Sequence, residues 1–206
     1  NNGKFQLQTL SADEYPVLKE SQWETTLFIP SRTLRYLLTM TAFAMASQDV
    51  RYYLNGVLFV VEGKKLRTVA TDTHRLACCE VDVDDENTPM QAIIPRKTVL
   101  LAKKLLLQGG SVTLTLGSKN VQFLFADGAV LLGNAVDGTY PNWRSVIPAT
   151  TERVTISADR LANSLAMIAA TSDDNEKQTA MKCKVEIAFT KSTTTLRRGD
   201  TGLCEL

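Results

Sequence analysis

The sequence predicts an α+β protein built from a repeated half-domain: a strand, an amphipathic helix, then an antiparallel meander. Three observations predict it. An apolar strand end, a proline or cap, and an amphipathic stretch recur in that order three times, with Ile29, Ile94 and Ile156 at matching, near-evenly spaced positions. After each stretch come short apolar runs bounded by turn residues, the signature of strands. Units of roughly 60 residues that leave an apolar helix face uncovered stack in pairs, so two copies make one domain with paired helices packed on antiparallel sheets. Residues 23–150 are therefore expected to form one domain. The third copy, from 151 to 206, opens another that the chain does not complete.

The first copy runs through Leu27-Phe28-Ile29-Pro30-Ser31 into a helix expected to reach about Ser47, with Leu34, Leu37, Leu38, Thr41 and Met45 on its apolar face. Proline at a first helical position suits its fixed φ and missing N–H. Next come strand 57–62, a turn at Gly63-Lys64-Lys65, strand 66–70, a turn at Thr71-Asp72-Thr73 and strand 75–83. The second copy places Ile93-Ile94-Pro95 before a helix from Arg96 to about Gln108, with Gly109-Gly110 as its C-cap and turn. Strands 112–116 and 121–125 follow. In the third copy Ser157 is a plausible cap, Asp159 suits the first turn, and the helix is expected to reach about Thr171. Strands 185–189 and 194–197 complete the reading.

Composition excludes several classes. The chain has 206 residues, 44% apolar and 22% charged, as in ordinary soluble globular proteins. No apolar run approaches the ~18 residues needed to cross a bilayer, and no signal peptide opens the chain. The cysteines, Cys78, Cys79, Cys183 and Cys204, form no CxxC pair. Cys78 and Cys79 are neighbours in a strand, point to opposite faces and cannot form a relaxed bridge. His74 is the only histidine, so a zinc site lacks a ligand set. A reducing cytoplasm is expected, with no cofactor. The net charge of +1 hides an acidic patch at 82–86 (DVDDE) and cations at Arg32/Arg35, Arg96/Lys97 and Lys103/Lys104. The chain begins Asn1-Asn2 and ends at Leu206 in an apparent strand, so a piece of a longer protein is expected.

The cations form stripes. Arg96 and Lys103, like Lys97 and Lys104, lie seven residues apart on one helix face, with Val99, Leu106 and neighbouring leucines opposite. Such a stripe is either a solvated face or a surface that follows phosphates without reading bases. No base-reading module is present. The His74-Arg75 turn is either an ordinary polar tip or a binding surface held by a rigid sheet. Nucleophile elbow, P-loop and dinucleotide fingerprint are all missing. The acidic patch lacks the glycine and terminal glutamate of a calcium loop. The chain reads as non-enzymatic, with His74 as a general base the least favoured reading.

Four ordered segments carry a resemblance. They are Gln48-Asp49-Val50-Arg51-Tyr52-Tyr53-Leu54-Asn55-Gly56, then Leu66-Arg67-Thr68-Val69-Ala70-Thr71-Asp72-Thr73-His74-Arg75-Leu76-Ala77, then Ile94-Pro95-Arg96-Lys97, and Val136-Asp137-Gly138-Thr139-Tyr140-Pro141-Asn142-Trp143-Arg144. With these gaps the chain resembles the bacterial DNA polymerase III β subunit, the β sliding clamp family. The resemblance implies the DNA clamp fold, with residues 1–22 as the last strand and exit of a first domain (Phe5 to Leu10, Tyr15-Pro16), 23–150 as the middle domain and 151–206 as half of the third. It implies a homodimeric ring around duplex DNA that tethers polymerases and the clamp loader, though no closed ring is expected from this chain alone. Arg32, Arg96, Lys97, Lys103 and Lys104 would line the channel, with Gln48, Tyr52 and Tyr53 approaching DNA. A partner pocket for a short, partly apolar peptide maps onto Leu54, Thr71, Thr73, His74, Arg75, Leu76, Pro141 and Val146. Thr73 stands where glycine is common, so an altered turn or a narrower pocket is expected. Ser145 stands where arginine is frequent, so one polar contact to the peptide is expected to be missing. A peptide-docking module of clamp fold, without a DNA role, is the alternative.

Overall fold

Strand β1 (Thr25–Pro30) alternates buried and exposed residues without a break, as a strand with one dry face must. Helix α1 (Ser31–Thr41) follows at once and buries Leu34, Leu37 and Leu38 completely. It ends at Thr41, short of the expected Ser47. There the Thr41 Oγ1 donates to the Leu37 carbonyl (2.9 Å). A 3₁₀ turn, Ala42–Ala44, tightens the chain, and the backbone extends at Met45. The computed structural model describes residues 4, 6–14, 23–106, 109–150, 153–170, 185–190, 193–198 and 202–205. They belong to two compact units, residues 1–147 and 148–206.

Strands β2 (Gly56–Thr71) and β3 (Leu76–Pro95) form one long antiparallel ribbon. The turn expected at Gly63-Lys64-Lys65 does not form: β2 runs straight through these residues, opposite a bulge in β3. The apolar runs on either side of it are buried, so the strand stays on its core. Gly63, at φ 59°, absorbs the register shift. Val61 to Lys65 faces Met90 to Asp82, so the excess length falls on β3 around the acidic stretch 82–86. That stretch is strand.

Pro95 leads directly into α2 (Arg96–Leu105), which buries Val99 and Ala102. Residues 107 and 108, where the expected end of this helix falls, lie outside the described residues. Gly109 and Gly110 take left-handed backbone (φ 81° and 76°), as a C-terminal turn requires. The Gly110 carbonyl accepts the Ser31 N–H (2.9 Å), joining this turn to the start of α1. Strands β4 (Ser111–Leu116), β5 (Asn120–Phe125) and β6 (Val130–Asn134) complete a four-stranded antiparallel sheet in the order β1-β4-β5-β6. Strand β6 was not expected. It contains Gly133, and a Cβ there would fall 2.9 Å from the Thr98 side chain, so α2 seats directly on it.

One face of the ribbon joins both helices and the sheet in the main core, around Leu37, Phe59, Ile94, Val99 and Phe123. Its other face builds a smaller cluster of Leu58, Val60, Val69, Ile93 and Trp143, with Tyr53, Leu76, Val136 and Tyr140 packed against it. Burial on both faces explains why residues 57–61 are continuously apolar rather than alternating.

In the second unit β7 (Glu186–Phe189), β8 (Thr194–Arg198) and β9 (Gly202–Glu205) form an antiparallel sheet, and α3 (Ala158–Ala170) packs on β8 and β9. Ser164, Ile168, Thr194 and Leu196 are buried. Residues 6–10, expected as strand, carry no strand pairing. Their alternation lacks a partner strand among the described residues, and Leu7 and Leu10 are exposed. Phe5, Tyr15, Pro16, Thr171 and Cys183 lie outside the described residues.

Gly56 marks the closest approach in the ribbon: a Cβ there would run into the Ile94 carbonyl oxygen. Gly56→Ala is expected to lower stability by about 2 kcal/mol, the scale of an overpacked core site, read from urea unfolding.

Candidate binding pocket and cationic face

The turn joining β2 to β3 is organised by two side chains. Asp72 Oδ1 accepts the N–H groups of His74 and Arg75 (both 3.0 Å), and its Oδ2 accepts the Arg75 Nε–H (2.9 Å). Partial burial pushes the Asp72 carboxyl up, but these N–H donors and the guanidinium outweigh it and hold the group below its ordinary value. Thr71 Oγ1 donates to the Arg75 carbonyl (2.7 Å) and accepts the Thr73 N–H (3.0 Å). Thr73 takes φ 74°, the left-handed conformation that glycine adopts freely and a β-branched residue adopts only under strain.

A second segment closes over this turn. The Tyr140 hydroxyl accepts the Thr71 N–H (3.0 Å), and burial pushes its phenol up to about 12. Beyond Pro141, a 3₁₀ turn (Trp143–Val146) buries Trp143 in the smaller cluster. Between the two segments lies a cavity of about 370 Å³. Thr71, Thr73, His74, Arg75, Leu76, Pro141 and Val146 line it, seven of the eight residues expected there. Leu54 does not: it is fully buried at the end of the 3₁₀ turn Tyr52–Leu54. Asn142 and Trp143 also line the cavity and were missed, although the aromatic after Pro-Asn in that motif was a usable signal. Ser145 spends its hydroxyl locally, donating to the Asn142 carbonyl (2.7 Å).

Charges surround Trp143. The Arg144 and Arg67 guanidinium carbons stand 4.4 Å and 5.5 Å from an indole ring centroid. Glu62 accepts from Arg144 Nη2 at both oxygens (2.9 and 3.0 Å) and from Arg67 Nη1 (3.2 Å). Arg67 and Lys65 each pair with Glu80 as well.

The loop of residues 48–55 is locked from within. Asn55 accepts the Asp49 N–H at Oδ1 (3.0 Å) and returns an Nδ2–H to the Asp49 carbonyl (2.8 Å). The Asp49 carboxylate takes two donors from the Arg51 side chain (2.9 and 2.8 Å), and this pairing brings its carboxyl down to about 2. Gln48 sits at φ 58°. Tyr52 is exposed and meets the Tyr53 ring edge-on at 5.8 Å. A Cβ on Gly138 would press on both tyrosines, so this loop and the pocket segment are in contact.

Of the expected cations, Arg32, Lys97 and Lys104 are exposed on α1 and α2, while Arg96 and Lys103 are half-buried. Arg96 Nη1 reaches the Met45 carbonyl (3.4 Å), placing the start of α2 beside the tyrosine loop. The leucines expected opposite the cations divide. Leu106 is buried, but Leu100 and Leu101 are exposed, because α2 turns the stripe of Val99, Ala102 and Leu106, with Leu105 at its edge, to the core. Among the described residues no cluster of His, Cys, Asp or Glu could hold a metal, and no helix is long and apolar enough to cross a membrane.

Two outcomes follow from this geometry. Thr73→Gly is expected to release left-handed strain and raise stability by about 1 kcal/mol net of the flexibility glycine adds, measured by urea unfolding. Asp49, Glu62, Asp72 and Glu80 all have depressed carboxyl pKa values in the folded state. Their stabilising contribution is complete above the ordinary carboxylate range and is lost as pH falls through the folded values. Unfolding midpoints should therefore hold from pH 7 to about 5 and fall between about pH 4 and 2.

The profile of the DNA polymerase III beta subunit, central domain, matches residues 28–142. The beta sliding clamp of Proteus mirabilis is 40% identical over 156 residues, covering 75% of this chain and 42% of that protein. The beta sliding clamp of Escherichia coli K12 is 39% identical over 151 residues, 73% of this chain and 41% of that protein. The chain thus spans about two-fifths of the length of these relatives. Among solved structures, the Pseudomonas aeruginosa DNA polymerase III subunit beta superposes with a TM-score of 0.84 at 31% identity, over 98% of this chain and 55% of that one. A sliding clamp from the same organism, bound to griselimycin, superposes with a TM-score of 0.78 at 30% identity, over 96% of this chain and 53% of that one. The α+β arrangement of helices on antiparallel sheets is accordingly the expected clamp fold, and the chain belongs to the DNA polymerase III beta subunit family, the beta sliding clamps.

Proposed function

We propose that this chain carries the middle domain of a replication processivity clamp, residues 23–150, and the opening part of the next, residues 151–206. In this reading the longer protein closes as a homodimeric ring around duplex DNA in the bacterial cytoplasm. It tethers polymerases and the clamp loader and has no chemistry of its own.

The observation that carries the reading is the cavity itself. Two motifs far apart in sequence, Thr71 to Leu76 and Pro141 to Val146, close one recess that opens to solvent. Its size suits one or two apolar side chains of a docked peptide, with His74 and Arg75 as a polar rim. That a related clamp binds griselimycin supports a ligand-accepting surface in this family.

Arg32, Lys97 and Lys104, with Arg96 and Lys103 at the margin, would face the phosphates, and Gln48, Tyr52 and Tyr53 would approach the same DNA. Loose, sequence-independent contact suits a ring that must slide. The exposed Leu100 and Leu101 among these cations favour a second reading, a peptide-docking module without a DNA role.

Salt titration of duplex binding, followed by fluorescence anisotropy, separates the two. Under the clamp reading the chain binds linear duplex weakly. Changing Arg96, Lys97, Lys103 and Lys104 together to Ala lowers the slope of log K against log salt by about 3. An unchanged slope would leave peptide docking as the function of this chain.

A further inference from the structure

Glu62 stands in β2 between Val61 and Gly63, where the register of the ribbon shifts opposite the extra residues of β3. Here the Glu62 carboxylate meets two guanidinium groups at once, those of Arg144 and Arg67. Both cations stand over the indole of Trp143, which lines the pocket.

We propose that Glu62 is a positioning residue of the peptide pocket, bracing its two walls against each other through Arg144 and Arg67. The inference rests on the pocket reading above. Arg144 belongs to the 3₁₀ turn Trp143–Val146, whose first and last residues line the cavity. Arg67 belongs to β2, whose last residue, Thr71, begins the opposite wall. One carboxylate therefore ties the far wall to the strand that carries the near wall. It also lies between two cations that would otherwise repel each other over the same ring. Arg67 has a second anchor in Glu80, whereas the carboxylate pairing of Arg144 among the described residues is with Glu62. Loss of Glu62 thus frees the Arg144 end, and with it the indole. Because Glu62 and Arg144 are both largely solvent-exposed, the effect is modest and screened by salt.

Griselimycin serves as the probe, titrated into the 206-residue chain in a Trp23→Phe background that leaves Trp143 as the single indole. Glu62→Gln is expected to weaken binding about threefold, the scale of an exposed ion pair, and to shift the Trp143 emission. Arg144→Gln should do the same. The double variant should lose little more than either single one, because the two act as one unit. Raising salt to about 1 M should weaken binding to the parent chain and leave Glu62→Gln nearly unmoved. Parent-like affinity and emission in Glu62→Gln, or losses that simply add in the double variant, would overturn the proposal. Leu76→Ala leaves the ion pairs in place and tests the pocket alone. Undiminished griselimycin binding in that variant counts against the pocket reading itself. Weakened binding there beside an unaffected Glu62→Gln rejects only the brace.

Discussion

The structure of the first unit depends on a ribbon that must be dry on both faces. Val57, Phe59 and Val61 point into the main core, and Leu58 and Val60 into the smaller cluster. Each fully buried side chain of this size contributes about 1.5–3 kcal/mol, so neither face can be given up. The bulge in β3 opposite Gly63 is the compromise that keeps both apolar runs of β2 on the same core. Everything of functional interest hangs from this element. The pocket sits at its free end, the tyrosine loop feeds into its start, and the helices lie on one side of it.

The electrostatics follow the same economy. Along the ribbon and its loops charges are tied down: Asp72 organises a turn, Asp49 clasps Arg51 beside Asn55, and Glu62 and Glu80 bridge cations along β2. These are largely exposed pairs, each modest in strength, and their value lies in direction. They decide which way a guanidinium or a backbone N–H points at the rim of the cavity. The apolar cluster beneath supplies the stability, while the ion pairs supply the aim.

Much of this was legible in the sequence. Proline before each of the first two helices, the paired glycines after α2 and the alternation in β1 and β5 are local signals, and they place those elements correctly. The half-domain repeat accounts for the helix pair. What failed were features decided at a distance. Gly63-Lys64-Lys65 carries turn chemistry, but burial on either side held the strand together. The apolar pattern beyond Thr41 looks helical, yet the chain turns there because the Thr41 hydroxyl bonds back to Leu37 and packs against Thr68 (3.3 Å). Leu54 follows the tyrosine pair in sequence but is drawn wholly into the interior. Trp143 was passed over for the opposite reason: although its place after Pro-Asn was a signal, a buried aromatic reads as core until the segment before it folds over the turn.

Gly138 shows what these constraints mean for the portability of the site. With only a tight fit for a Cβ beside Tyr52 and Tyr53, the segment that forms one pocket wall is seated on the loop that leads into the ribbon. The pocket is therefore not a pair of loops that could be lifted onto another scaffold. Its near wall is the end of a strand, its far wall rests on that strand's other approach, and its floor is the back of the hydrophobic core. Grafting the recognition surface would mean grafting the domain, and small changes in domain packing would be read out as changes in what the pocket accepts.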